Sequence, residues 1–221
     1  MAIDTTLTCT GIRRAYRTAG EVVWALWDVD ATASYGEMTV LAGPSGSGKS
    51  TLLRIMAGID VPDEGSVWIA GQDLASMKPS ARRRFRSRHI GYLFQDPAAN
   101  LLSYLTVWEH LELAGEVRAG VPREDLLGHL EIADLKDEFP VRLSAGQQQR
   151  AALAAAVIGH PEVVLADEPT AELDTLSAHL AVDTLMRLRD IGTTLVVTSH
   201  DPEVLAVADR VIRLEHGTVS Q

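Results

Sequence analysis

Residues 43–51 read Gly-Pro-Ser-Gly-Ser-Gly-Lys-Ser-Thr. Glycines at 43, 46 and 48 let a backbone curl until successive N–H groups, those of Ser45 and Ser47 among them, aim at one anion. Pro44 stiffens the entry to that curl. The spacing fits G-x-x-x-x-G-K-[ST], a loop that cradles nucleotide phosphates. In that chemistry Lys49 supplies a point charge to the β- and γ-phosphates, and the Ser50 hydroxyl ligates Mg²⁺. An apolar run, Met38–Ala42, leads in, and a helix-like run from Thr51 to Ala57 leads out. Strand, glycine loop and helix is the context this motif requires, and the helix adds its positive N-terminal end.

A second group of residues suits the same chemistry. The apolar run Val163–Ala166 ends in Asp167 and Glu168. The C-terminal end of a buried parallel strand is where ligand-binding groups are presented. Asp167 is placed to support Mg²⁺, directly or through water, and Glu168 to polarise an attacking water. His200 follows the β-rich run Thr194–Thr198, and Gln95 follows the run Ile90–Phe94. Ser144 stands where an N-cap would open an alanine-rich helix reaching about Gly159, whose positive end can face an anion.

The elements that must position these residues read as an α/β chain. Leu7–Tyr16 and Glu21–Ala33 are expected as strands about a turn near Gly20, and residues 66–70 as another. Leu101–Val117 and residues 123–131 are expected as helices separated by Gly120 and Pro122. Residues 163–166, 194–198 and 211–214 lack strict alternation, as strands buried on both faces of a parallel sheet do. Residues 177–190 and 202–209 are the intervening helices. The basic run from Arg82 to Arg88 reads as a solvated helix face, with anionic headgroups as a second reading. Leu101, Leu102, Tyr104, Leu105, Val107 and Trp108 divide between interior packing and a docking surface for a partner's helix.

The bulk properties narrow the function. A net charge of −10 over 221 residues argues against a surface built for nucleic acid. The one cysteine, Cys9, rules out an intrachain disulfide and suits a reducing compartment. The first ten residues show no basic-then-apolar pattern, so no signal peptide is expected, and no run approaches a membrane span.

Leu143-Ser144-Ala145-Gly146-Gln147 resembles the LSGGQ signature of ABC (ATP-binding cassette) ATPases. The order of motifs also resembles that family: phosphate loop, Gln95, signature, the strand ending in Asp167 and Glu168, Glu172-Leu173-Asp174 as the D-loop, and His200. The resemblance covers about residues 7–218. It implies a P-loop NTPase fold with a RecA-like parallel-sheet core, an antiparallel β subdomain and a helical signature subdomain. One domain, 1–221, is then expected, with the core in about 1–95 and 159–221 and the helical part in about 96–158.

The resemblance further implies ATP and Mg²⁺ as substrate and cofactor, and it implies roles for named residues. Tyr16 would stack on adenine. Gln95 would sense Mg²⁺ and the attacking water. Ser144 and the Gly146 backbone, flanked by Ala145 and Gln147, would contact the γ-phosphate bound by an opposite subunit, and His200 would hold the catalytic geometry. It implies a head-to-tail dimer with two composite sites, integral-membrane permease subunits as partners, and a peripheral position on the cytoplasmic face of the inner membrane. The chain looks most like the short bacterial ATPases of lipoprotein release, macrolide efflux and cell-division signalling, a resemblance that implies either export or force transmission to the periplasm. A soluble ABC ATPase acting on DNA or ribosomes is the alternative, and a non-hydrolysing scaffold a third. Ala145 departs from the family's first signature glycine. Were a positive φ needed there, a strain of about 1 kcal/mol would follow.

Overall fold

The computed structural model describes residues 5–18, 20–117, 123–171 and 173–220. Glu172 of the D-loop and the Gly120 and Pro122 helix breaks lie outside the described residues. Two long strands open the chain, β1 (Thr5–Thr18) and β2 (Glu21–Ser34), paired antiparallel about Gly20. Next come β3 (Met38–Ala42), α1 (Lys49–Met56), β4 (Glu64–Ile69), the short β5 (Gln72–Asp73), α2 (Pro79–His89) and β6 (Ile90–Leu93). Helices α3 (Val107–Val117), α4 (Arg123–His129) and α5 (Ala145–Val157) precede β7 (Val163–Asp167). The chain ends through α6 (Thr175–Asp190), β8 (Leu195–Thr198), α7 (Pro202–Ala206), β9 (Arg210–Glu215) and β10 (Thr218–Ser220).

These strands form two sheets. An antiparallel sheet has the order β2-β1-β4-β5, and a six-stranded sheet the order β10-β9-β3-β8-β7-β6. In the second sheet β9, β3, β8, β7 and β6 run parallel, so their C-terminal ends lie along one edge. Strand period places alternate residues of β3 on opposite faces. Val40 joins Val164, Val197 and the helical cluster of Leu111, Leu153 and Leu185. Leu41 joins Leu165 and Val196 on the other face, with Leu52, Leu53 and Met56 of α1 and with Leu7, Ile12 and Leu26 of the antiparallel sheet. Helix α1 is therefore packed between the two sheets. Burying such a leucine contributes about 2 kcal/mol, so the helix that follows the glycine loop is held by its whole apolar side.

Small residues set the closest approaches. The alanines of α5 bring its backbone against β6, where a Cβ on Gly91 would collide with the Ala156 carbonyl. The arginines of α2 divide between two faces. Arg82 Nε and Arg86 Nη1 both donate to the Gly58 carbonyl, at 3.1 and 3.0 Å, just past the C-terminus of α1. Two guanidinium groups there offset the negative end of the α1 dipole. Arg83, Arg84 and Arg88 are exposed. Cys9 is buried on β1, and burial pushes its thiol pKa up.

Several elements differ from expectation. The helix expected from Leu101 begins only at Val107. Thr106 Oγ1 accepts from Glu109 N and Glu109 Oε2 accepts from Thr106 N, at 3.2 and 2.7 Å, a capping box that fixes the start. Leu101 and Val107 are buried, whereas Leu102 and Tyr104 are exposed, so the apolar segment serves both packing and surface. Strand β10 follows a turn at His216-Gly217 that the sequence reading did not isolate.

The strain considered for Ala145 is absent. Ala145 is the first residue of α5 and is not among the residues with positive φ. Its helix is opened by a capping box, with Gln147 N donating to Ser144 Oγ at 3.3 Å and Ser144 N to Gln147 Oε1 at 2.9 Å. An Ala145→Gly variant is therefore expected to lose stability by up to about 1 kcal/mol, the cost of glycine in a helix. A rise in the urea midpoint of this variant would show that strain is present after all.

Candidate functional site

The glycine loop leaves the C-terminal end of β3 and is pinned where side chains cannot fit. A Cβ on Gly48 would sit 2.5 Å from the Ala25 carbonyl, and one on Gly43 would strike the Leu214 carbonyl. Both glycines have positive φ, at 103° and 149°. The loop is thus threaded between β2 and β9, with Ser47 O accepting from Gly217 N at 3.1 Å. Gly48 is the N-cap of α1, and it offers no side chain to the first-turn N–H groups. Those donors and the dipole are aimed at whatever anion the loop holds.

Lys49 reaches back over the loop. Its Nζ donates to Gly43 O at 2.8 Å and Pro44 O at 3.1 Å, and lies 3.5 Å from Glu168 Oε1. With 6% of its surface exposed, the ammonium is largely withdrawn from water, where its charge acts over short range with little screening. The end of β7 stands opposite. Ser50 Oγ donates to Asp167 Oδ1 at 2.9 Å, and Thr198 Oγ1 donates to the same oxygen at 2.7 Å. Thr198 Oγ1 in turn accepts from Glu168 N at 2.8 Å, beside a second bond from Glu168 N to Thr198 O at 3.1 Å. Glu168 is held at φ 44°, a left-handed conformation that costs a carboxylate side chain about 1 kcal/mol or more and persists where its surroundings over-determine it. His200 Nδ1 lies 3.1 Å from Glu168 Oε2.

A cleft of about 480 Å³ gathers Pro44, Ser45, Gly46, Gly48, Lys49, Ser50 and Thr51 with Gln95, Glu168 and His200, a size suited to a small-molecule ligand. Gly43 and Ser47 belong to the loop without lining the cleft, and Asp167 meets it through its bond from Ser50. Ser47 Oγ is buried without a hydrogen-bond partner among the described residues, an orphan that a phosphate-bearing ligand could satisfy through a shift of its rotamer. The donors Ser50 and Asp167 are hard oxygens, as Mg²⁺ requires. Among the described residues no three acidic, histidine or cysteine side chains form a protein-only cage.

Other expected residues stand apart from this cleft. Tyr16, 38% exposed, is near the end of β1 with the Arg14 guanidinium 5.0 Å from its ring centre, and it does not line the cleft. Ser144, Ala145, Gly146 and Gln147 open α5 and do not line it either. Asp174 caps α6, with its carboxyl held below the usual range by the Ser177 hydroxyl and then the Ser177 N–H. One chain thus carries two separate clusters. Sequence reasoning missed Ala25, Thr198 and Ser177. Thr198 was visible two residues before His200, at the end of a β-rich run, but its link to Asp167 arises only from the register that pairs β7 with β8.

Comparisons with known proteins bear on the family and the fold. The family model described as ABC transporter matches residues 26–171. The macrolide export ATP-binding/permease protein MacB of Shigella sonnei (strain Ss046) is 39% identical over 215 residues, covering 94% of this chain and 33% of that protein. MacB of Escherichia coli (strain K12) matches equally. The chain spans about a third of the length of these curated relatives. Among solved structures, the dimeric post-hydrolysis state of the ATP-binding cassette MJ0796 bound to ADP and Pi superposes with a TM-score of 0.86 at 32% identity, covering 97% of both chains. A nucleotide-free ATP-binding cassette from an ABC transporter superposes at 0.79 with 24% identity, a likeness of fold alone. The chain belongs to the ABC transporter family and has the fold of its ATPase cassette.

Proposed function

We propose that this chain binds and hydrolyses ATP as the motor of a membrane ABC complex, closing on a second, identical cassette around two ATP molecules. The separation of the two clusters carries this reading: Lys49, Glu168 and His200 share one cleft, while Ser144 and Gly146 lie outside it. A γ-phosphate bound by Lys49 of one chain is completed by Ser144 and Gly146 of a second copy, arranged head to tail. The dimeric cassette structures that this chain resembles support that arrangement.

In this reading the glycine loop and the α1 N-terminus hold the phosphates, Lys49 offsets the charge on the transferring group, and Tyr16 stacks on adenine. Ser50 and Asp167 would hold Mg²⁺ with Gln95 beside them, and the ion when bound neutralises phosphate charge. Glu168 orients a water and takes its proton as the water oxygen bonds to the γ-phosphorus and the bond to the bridging oxygen of ADP breaks. His200, in contact with Glu168, keeps that carboxylate in line. The phosphate released is no longer tethered across the interface, so the dimer opens.

The output passes through Gln95 and the exposed Leu102 and Tyr104 to an integral-membrane permease, with the cassette on the cytoplasmic face of the inner membrane. The similarity to MacB proteins, whose names include macrolide export and a permease, supports export as that output, with force transmission to the periplasm as the other reading. The helical segment 96–158 is read as the signature subdomain set against the core of 1–95 and 159–221. Among the described residues no helix is long and apolar enough to cross a membrane.

Glu168→Gln is expected to lower ATP turnover by at least about 100-fold, the scale of a lost general base, and to accumulate an ATP-dependent dimer in size analysis. Turnover at the wild-type rate would remove Glu168 from the chemistry. Thr198→Val keeps the shape but removes the hydroxyl shared by Asp167 and Glu168. It is expected to lower kcat roughly tenfold and raise the half-saturating Mg²⁺ concentration, while Thr198→Ser retains both. Equal Mg²⁺ dependence in the three proteins would refute the clamp.

A further inference from the structure

Gly146 has no side chain for a reason other than its backbone. It is the second residue of α5, and its φ is not among the positive values that favour glycine. A Cβ there would lie 2.6 Å from Ser177 Oγ and 2.8 Å from Ser177 Cβ. The position is therefore small because Ser177, in the first turn of α6, fills the space. Ser177 Oγ also donates to Asp174 Oδ2 at 2.7 Å, while its N–H donates to Asp174 Oδ1 at 3.1 Å. One serine thus touches the signature on one side and holds the D-loop carboxylate on the other.

The contact also brings the N-terminal ends of α5 and α6 side by side. Two positive helix ends in contact repel unless negative charge lies near. Asp174 supplies that charge from its N-cap position, and Ser144 and Gln147 close the other helix as a capping box. An orientation of Asp174 that breaks its bond to Ser177 would both loosen the seat of Gly146 and remove the compensating charge from the shared face.

We infer that Ser177 is a positioning residue that locks the start of α5 to Asp174, so that the signature and the D-loop of one chain meet a second copy as a single rigid unit. This rests on the proposed ATP-closed dimer. Ser177 does not line the cleft that holds Lys49 and Glu168, and its effect falls on association between copies rather than on the capture of ATP by one copy.

The test uses the full chain carrying Glu168→Gln. Adding Ser177→Ala removes the hydroxyl bond but keeps the N–H cap. It is expected to raise the protein concentration needed for ATP-driven dimerisation at least about fivefold in sedimentation, the scale of one lost charge-assisted hydrogen bond. Affinity of the monomer for a fluorescent ATP analogue should change less than about twofold. Adding Gly146→Ala should impair dimerisation similarly, whereas in a Ser177→Gly background, which already lacks the hydroxyl bond, Gly146→Ala should cause no further loss, because the added methyl then has room. Dimerisation of the Ser177→Ala protein at the parent's concentration would overturn the inference, as would a further loss when Gly146→Ala is added to Ser177→Gly. If the Glu168→Gln parent itself stays monomeric with ATP, the dimer reading fails, and the inference about association falls with it. Melting temperatures of the parent, Gly146→Ala, Ser177→Gly and the variant with both changes still decide the contact separately: additive shifts refute it, and a double variant no less stable than Ser177→Gly alone supports it.

Discussion

The site depends on one hydroxyl shared between neighbouring strands. Thr198 Oγ1 donates to Asp167 and accepts from the Glu168 N–H, so the ends of β7 and β8 are fixed to each other within 3 Å contacts. A single oxygen serves both functions because a hydroxyl donates and accepts at once. It sets the direction of Asp167 toward Ser50 and helps keep Glu168 in its left-handed conformation. His200, two residues beyond Thr198, then falls beside the Glu168 carboxylate. The parallel register between β7 and β8 makes this possible, since it pairs Asp167 with Thr198 directly.

The same edge of the sheet explains why so few residues outside the motifs are needed. Strands β3, β6, β7 and β8 end together and deliver the glycine loop, Gln95, Asp167 and His200 to one region. Their interiors are almost wholly apolar because both faces are covered. The chemistry is confined to the residues just past each strand, where the backbone leaves the sheet and polar groups reach solvent.

Much of this was legible in the sequence because the site is written in short, chemically constrained runs. Gly43 to Thr51 specifies its own backbone, and the run ending in Asp167 and Glu168 specifies a buried strand with an acidic end. What was not legible depended on distant partners. The apolar residues from Leu101 suggested a helix six residues too early, although the box at Thr106 and Glu109 was present in the text. Ala145 drew attention as an unusual residue, yet it is an ordinary first helical residue. Gly146 proved the more constrained position, and its constraint comes from Ser177 in another helix. The basic run on α2 showed charge without direction, because the inward arginines are selected by the Gly58 carbonyl at the end of α1.

Cys9 gives the molecule a chemical quietness. It is the chain's sole cysteine, it is sealed under the antiparallel sheet, and burial favours its protonated form. Nucleophilic sulfur chemistry needs an accessible thiolate. The folded surface therefore presents no thiolate to peroxide, to glutathione or to a neighbouring copy. Covalent sulfur links through Cys9 between folded copies are closed off, so the redox state of the surroundings has no handle on how two such chains meet.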